Sequence, residues 1–324
     1  MTDKTGVLLI NLGTPDAPEP AAVRRYLAEF LSDRDVVDLP PLLWQPILRG
    51  LILPLRPRRT AEAYRMVWTD DGSPLAAITR RQAKALQGRL SSEIVVDYAM
   101  RYGTPAIASA VQGLAEAGCE RILGAPLYPQ FSGATTGTAE KALLAAFARM
   151  DADVPMRMLP PYFDDALYID ALASNLGRQL AALDFEPERL LLSFHGLPQR
   201  TVDRGDPYFR HCMETARLLA DRLSIATDVA FQSRFGRAKW LEPATDVTLA
   251  AYPGKGVTRL AIAAPGFSAD CIETLEELGI RGRETFMSAG GENFARLDCL
   301  NDSPEGMDML EVLISRELAG WTAD

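Results

Sequence analysis

The chain has 324 residues, 48% hydrophobic and 24% charged, with a formal net charge of −9. That length exceeds one small core and predicts two domains, and the composition is that of an ordinary soluble globular protein. The acidic balance excludes a broad basic face for nucleic acid and suits a cationic ligand such as a metal ion. Cys119, Cys212, Cys271 and Cys299 form no CxxC pair. Neither a zinc ribbon nor a thioredoxin-like motif is therefore expected, and scattered single thiols predict a reducing compartment. The apolar run near the N-terminus is too short for a signal peptide. No apolar stretch reaches the roughly 18 residues of a spanning helix. The expected location is the cytoplasm.

Residues 6–12 read as a buried strand ending in Gly13-Thr14-Pro15, and 21–31 follow with helical spacing. Residues 39–55 are apolar but interrupted by Pro40, Pro41, Pro46 and Pro54. Within them Trp44, Ile47, Leu48, Leu51, Ile52 and Leu55 form one stripe if the segment is helical. Arg49, Arg56, Arg58 and Arg59 flank it. Such a segment can lie on a membrane surface or cover a hydrophobic ligand; it can also be a helix docked on the core. Alternation then resumes. Helices are predicted over 76–90, 106–117, 135–150, 164–183 and 207–223. Strands are predicted over 94–100, 121–127, 156–159, 228–232 and 259–264. A further helix starts near Ala269 or Asp270 with Ser268 as N-cap. The last runs over 303–321, with Pro304 in its first turn. Strands alternating with helices predict α/β architecture, with parallel sheets covered on both faces.

The stretch RLLLSFHGLP, residues 189–198, is the most informative. Leu190, Leu191 and Leu192 have the look of a buried parallel strand. The run stops at His195-Gly196, at the strand mouth where open α/β sheets bind ligands. The chain has only two histidines. Position alone leaves open a histidine simply hydrogen-bonded within a βα loop.

An internal echo predicts two similar halves. LLINLGTP resembles LLLSFHGLP, YAMRYG resembles FQSRFG, and LGAPLYP resembles IAAPGFS, in the same order. The offset falls from about 183 residues to about 135, which places an insertion over 34–80 in the first half. The expected domains are 1–160, with that insertion as a lip, and 161–324, with His195 and an acidic helix. Both are doubly wound, Rossmann-like units around a ligand cleft.

In PGFSADCIETLEELG, residues 265–279, Asp270, Glu273 and Glu277 share one face if helical. Such carboxylates suit a divalent cation, and imidazole with carboxylate suits Fe²⁺ or Zn²⁺. A solvated acidic helix start is the plain alternative. The other strand mouths hold Arg101, Tyr102, Tyr128, Gln130, Gln232, Ser233, Arg234 and Trp240. Aromatics around a cleft suit a large flat ligand, and arginines suit its carboxylates; each alone is also compatible with packing. No GxGxxG follows a predicted strand, and neither GxxxxGK[ST] nor GxSxG occurs.

SFHGLP, VDRGDPY, FQSRFGRAKWLEP and PGFSADCIETLEELG, with LLINLGTP, FLSDRDVVDLP, DGSPL, MRYGTP and YPQFSGATTG, resemble the ferrochelatase family along essentially the whole chain. The resemblance implies two chelatase-type domains around a porphyrin cleft. The implied reaction inserts Fe²⁺ into protoporphyrin IX, giving protohaem and two protons, as the final step of haem biosynthesis. In another branch the substrate is coproporphyrin III. It implies His195 and Glu273 as catalytic residues. Metal or protons would pass along His195, Glu273, Asp270 and Glu277. Arg101, Tyr102, Tyr128, Gln232, Ser233 and Trp240 are implied in the cleft, with Arg56, Tyr64 and Ser73 on the lip. Leu12 stands where the coproporphyrin branch often has Tyr, which favours protoporphyrin IX.

Cys271 stands where many members have His, and offers a soft ligand instead. No cysteine follows Cys299 and Gly133 occupies a cluster-ligand position, so no [2Fe-2S] cluster is expected and iron is substrate only. The expected partners are the porphyrin and Fe²⁺, with peripheral contact to the inner membrane surface and no nucleic acid. A cobalt or nickel chelatase of the same architecture, or a haem carrier without chemistry, would share much of this pattern.

Overall fold

The computed structural model describes residues 4–150, 154–236 and 238–321. The chain forms two compact units. One comprises residues 1–127, 133–160 and 310–324; the other comprises 128–132 and 161–309. Residues 128–132 thus belong with the second unit, and Leu310–Trp321 packs with the first.

The first unit begins with β1 (Lys4–Thr14), α1 (Pro20–Phe30), α2 (Pro41–Ile47), α3 (Leu53–Val67) and α4 (Pro74–Gln87). It continues through β2 (Ile94–Gly103), α5 (Ile107–Glu116), β3 (Cys119–Pro126), α6 (Thr138–Phe147) and β4 (Met156–Met158). Its strands lie parallel in the order β2-β1-β3-β4. Val7, Leu8, Leu9 and Ile10 are wholly buried, as a central strand covered on both faces requires. Leu8, Ile10, Ile107, Val111, Leu114, Ile122 and Leu143 join in one core.

The second unit has α7 (Ala166–Ala181), β5 (Arg189–His195), α8 (Gln199–Asp203), α9 (Tyr208–Ala220), β6 (Thr227–Gln232) and α10 (Thr245–Ala251). Then come β7 (Arg259–Ala263), a π-helix over Glu273–Gly282, α11 (Arg283–Ser288), β8 (Asn293–Arg296) and the start of α12 (Pro304–Leu318). Asp165 caps α7 by accepting from the Leu167 N–H at 2.9 Å. The strand order β6-β5-β7-β8 reproduces that of the first sheet, again parallel. Its core gathers Leu191, Leu249, Leu260, Ile262, Leu278 and Phe286.

The repeat extends to detail. The Met100 N–H donates to the Pro105 carbonyl at 2.7 Å, and the Phe231 N–H to the Pro243 carbonyl at 2.9 Å. Met100 pairs with Asn11, and Phe231 with Phe194. The next residues along the two central strands, Leu12 and His195, are therefore structural counterparts.

The lip segment departs from a single stripe. A π-turn over Leu48–Ile52 separates α2 from α3, with Pro46 and Pro54 on either side disturbing the helical bonding. Trp44 and Leu48 turn inward, and the Trp44 indole donates to the Leu31 carbonyl at 2.6 Å. Ile47, Leu51 and Leu55 are exposed, together with Leu42 and Leu43. Among the described residues no helix is long and apolar enough to cross a membrane.

Candidate active site

In the second unit β5 is wholly buried from Leu190 to Phe194 and delivers a half-buried His195 to the C-terminal edge of its sheet. His195 Nδ1 lies 2.7 Å from the Gly196 carbonyl oxygen. A carbonyl only accepts, so Nδ1 carries the proton, and Nε2 of the neutral ring keeps its lone pair. The Gly196 N–H donates to the Gln232 carbonyl at 2.8 Å. A Cβ at this position would stand 2.7 Å from that oxygen and 3.3 Å from Trp240 Cε3. Glycine is thus what allows the His195 turn to approach β6. Trp240 bridges Pro198 across the same turn.

Beneath the histidine runs a buried polar chain. The Ser193 hydroxyl donates to Gln232 Oε1 at 2.7 Å and lies 2.8 Å from Thr245 Oγ1. Gln232 Nε2 donates to the Glu273 carbonyl at 3.2 Å. Gln232 is 2% exposed, and its hydrogen bonds tie the π-helix to β5 and β6.

The acidic residues separate into different roles. The predicted α-helix capped by Ser268 is instead a π-helix that begins at Glu273, a form frequent at functional sites. Asp270 lies before it and is buried. Its carboxylate accepts from Arg296 at 2.9 Å, Thr274 at 2.7 Å, Asn301 at 2.7 Å and the Cys299 N–H at 3.3 Å. Four donors fill the acceptor capacity of its two oxygens, and Asp270 thereby anchors the start of the π-helix to β8 and the Cys299–Asn301 segment. Glu277 accepts from the Ser233 N–H at 2.8 Å and the Ser233 hydroxyl at 2.6 Å. Glu276 pairs with Arg281 at 2.8 Å. Glu273 is half-buried at the first turn of the π-helix.

Cys271 is buried beside the start of the π-helix. Burial, then the neighbouring Glu273 carboxylate, pushes its thiol well above the ordinary range, and a protonated thiol is a poor ligand. Among the described residues no three His, Cys, Asp or Glu side chains converge to hold a metal ion.

The first unit holds its own group at the strand mouths. Asp33 accepts from Arg101 at 2.5 Å and from the Tyr102 phenol at 2.9 Å. The Arg101 guanidinium lies 4.3 Å over the Tyr102 ring and donates from Nε to the Thr138 carbonyl at 3.0 Å. Tyr102 is 1% exposed and packs beneath Arg101. Leu12 and Arg101 are half-buried. Ser73 is buried and accepts from the Thr14 hydroxyl at 2.7 Å. Tyr64 is buried edge-on to Trp68. Arg56 is exposed on α3, and Tyr128 is half-buried in the segment that belongs with the second unit. Sequence reasoning missed Asp33, Arg296, Thr274 and Asn301. Asp33 and Thr274 stood in quoted motifs without a role; Arg296 and Asn301 carried no signal of a site.

Two four-stranded parallel sheets of one topology define the two-domain chelatase architecture. Solved structures share it: SirB from Bacillus subtilis with Fe³⁺ (TM-score 0.59, 12% identity, 98% of this chain and 97% of that one). Another is the sirohydrochlorin chelatase of Bacillus subtilis subspecies spizizenii in complex with cobalt (TM-score 0.57, 12% identity, 98% and 96%). At that identity the likeness concerns the fold alone. The ferrochelatase family model matches residues 4–318. Ferrochelatases of Methylocella silvestris and Rhizobium meliloti are 51% and 49% identical to this chain, covering 99% and 98% of it and 95% and 96% of their own lengths. The chain belongs to the ferrochelatase family, and is a metal chelatase, a lyase of haem synthesis that places metal in a porphyrin.

Proposed function

We propose that the chain inserts Fe²⁺ into protoporphyrin IX, with His195 as the base and Glu273 as its acidic partner. The observation that carries this is the tautomer of His195, whose Nδ1–H is committed to the Gly196 carbonyl. Nε2 then takes one proton from a pyrrole N–H as the nitrogen lone pair turns to the metal. The half-buried Glu273 carboxylate favours the resulting imidazolium and the approaching cation. Each turnover exchanges two pyrrole protons for one Fe²⁺, so the charge on the macrocycle is balanced; His195 passes the first proton to solvent and then takes the second. Trp240 supplies an aromatic face beside the histidine, and Arg101 suits a propionate. Leu12, the counterpart of His195 at the other strand mouth, is apolar. That supports protoporphyrin IX, whose vinyl groups replace two of the four propionates of coproporphyrin III. The reaction needs no resident cluster in this reading, since iron enters as substrate.

An anaerobic absorbance assay with protoporphyrin IX, then coproporphyrin III, and Fe²⁺ tests this. Multiple turnover with protoporphyrin as the better substrate is expected, with loss of at least about a hundredfold in His195→Ala and Glu273→Gln. Metalloporphyrin formation limited to one equivalent, or activity surviving in both variants, would overturn it.

The same reading includes peripheral attachment to an anionic membrane. Leu42, Leu43, Ile47, Leu51 and Leu55 are exposed on the lip, with Leu42 at 90%, beside Arg49, Arg56, Arg58 and Arg59. Apolar side chains flanked by arginines suit the headgroup boundary. Buried Leu48 is unsuited to a test. Leu51→Ser with Leu55→Ser should lower sedimentation with anionic vesicles while leaving turnover of detergent-dispersed porphyrin intact; unchanged sedimentation would refute the attachment.

A further inference from the structure

Ser233 follows β6 with φ of +64°, a left-handed conformation uncommon for residues other than glycine. Such strain persists only where its surroundings hold it. Here the holder is one carboxylate: both oxygens of Glu277 are used by Ser233, through its N–H at 2.8 Å and its hydroxyl at 2.6 Å. Arg281 Nη2 stands 3.9 Å from Glu277 Oε2. The charge of Glu277 is therefore met by protein donors, with Arg281 as the neighbouring cation.

Downstream of Ser233, the chain carries Arg234, Phe235 and Trp240. Arg234 bonds Asp246 at 2.9 Å, and the Trp240 indole donates to the Phe235 carbonyl at 2.9 Å, with the two rings 5.3 Å apart. The return of this turn is tied to the segment after His195: the Gln199 N–H donates to the Lys239 carbonyl and the Leu241 N–H to the Leu197 carbonyl, both at 2.9 Å. One end of the turn is thus fixed by the histidine segment and the other by the π-helix.

We propose that Glu277 and Ser233 form a positioning clamp. The clamp sets the turn that presents Trp240 beside His195, and Glu277 acts on porphyrin placement instead of carrying metal. The inference rests on the reading of Trp240 as a porphyrin contact. Wild-type protein that fails to turn over porphyrin would end that reading; the clamp is judged only from variants of an active enzyme.

The test varies porphyrin and Fe²⁺ separately for wild type, Glu277→Gln, Ser233→Ala and Ser233→Asn, with melting temperature as a control. Losing one charge-assisted hydrogen bond in Glu277→Gln should raise the porphyrin KM about tenfold. The Fe²⁺ KM should stay within about twofold. Ser233→Ala keeps the charge of Glu277 but loses the hydroxyl donor, and should move the porphyrin KM in the same direction. Asn tolerates the left-handed conformation and supplies a donor, so Ser233→Asn should stand closer to wild type than Ser233→Ala does. Quenching of Trp240 by porphyrin, taken as the difference from Trp240→Phe protein, should weaken in step with KM. A raised Fe²⁺ KM with an unchanged porphyrin KM in Glu277→Gln would overturn the clamp, as would wild-type constants in both Glu277→Gln and Ser233→Ala. If Glu277→Gln does not fold, the order of the two Ser233 variants decides, and Ala behaving as well as Asn refutes the proposal.

Discussion

Replacing Arg296 by Met removes the cation that faces Asp270 and keeps most of its aliphatic volume. The pair is shielded, with the Asp270 side chain 6% and the Arg296 side chain 18% exposed. Breaking such a pair from one side leaves an uncompensated buried charge and costs about 3–5 kcal/mol. The donors from Thr274, Asn301 and the Cys299 N–H remain, which places the expectation near the low end, about 3 kcal/mol. For a unit of this size that is a fall in melting temperature of roughly 6–12 °C. Asp270→Asn should also destabilise, by leaving Arg296 without its carboxylate. The double variant should be more stable than the sum of the two predicts, because neither partner is then stranded. Thermal and urea unfolding followed by circular dichroism measures all three. Iron kinetics at a temperature where each variant is folded supplies the second readout, and the Fe²⁺ KM should match wild type. A stable Asp270→Asn protein with a sharply raised Fe²⁺ KM would refute the anchor and support Asp270 as a ligand.

Gly196→Ala should lower kcat by roughly a hundredfold, because the new methyl displaces either the His195 turn or β6; kinetics equal to wild type would show that the close approach is dispensable. His211 stacks on Phe163 with ring centroids 3.7 Å apart, and its Nδ1 accepts from the Phe131 N–H at 3.2 Å. Burial, with help from Arg210 and against Asp164 and Asp206, pushes its pKa down. The folded state therefore prefers the neutral ring. Its contribution is complete above the unfolded value of about 6.5 and is lost as pH falls from there through the lower folded value. Urea midpoints should drop between about pH 7 and 5, and His211→Gln should show a shallower drop; an identical slope in the variant would assign the effect elsewhere.

The strands that order each sheet were legible because parallel strands buried on both faces leave continuous apolar runs, as Val7–Ile10 and Leu190–Leu192 do. The repeat of β1 with β5 was legible for the same reason, and it carried His195 to its strand mouth. β8 was not legible: Asn293–Arg296 is four residues long and half-buried throughout, so it has no run to detect. Nor does side-chain periodicity separate an α-helix from a π-helix over a ten-residue stretch, and the acidic face drawn across Asp270, Glu273 and Glu277 assumed the former. The role of Asp270 turned on Arg296 and Asn301, which lie far along the chain and meet it only through the fold. Tyr102 illustrates the remaining gap. An aromatic at a strand mouth looks the same in sequence whether its ring lines the surface or lies beneath a neighbouring arginine.

The tail that packs with the first unit bears on how the protein is made. Arg157 donates to the Glu317 carbonyl at 2.9 Å and stacks on Trp321 at 4.3 Å, Arg121 bonds the Trp321 carbonyl, and Arg89 meets Glu311 at 3.0 Å. The first sheet is synthesised early, yet the residues that cover this part of its unit leave the ribosome after the whole second unit. A nascent first unit must wait with that surface open, a natural interval for a chaperone to hold it. A fragment cut at residue 160 would be left permanently in that unfinished state.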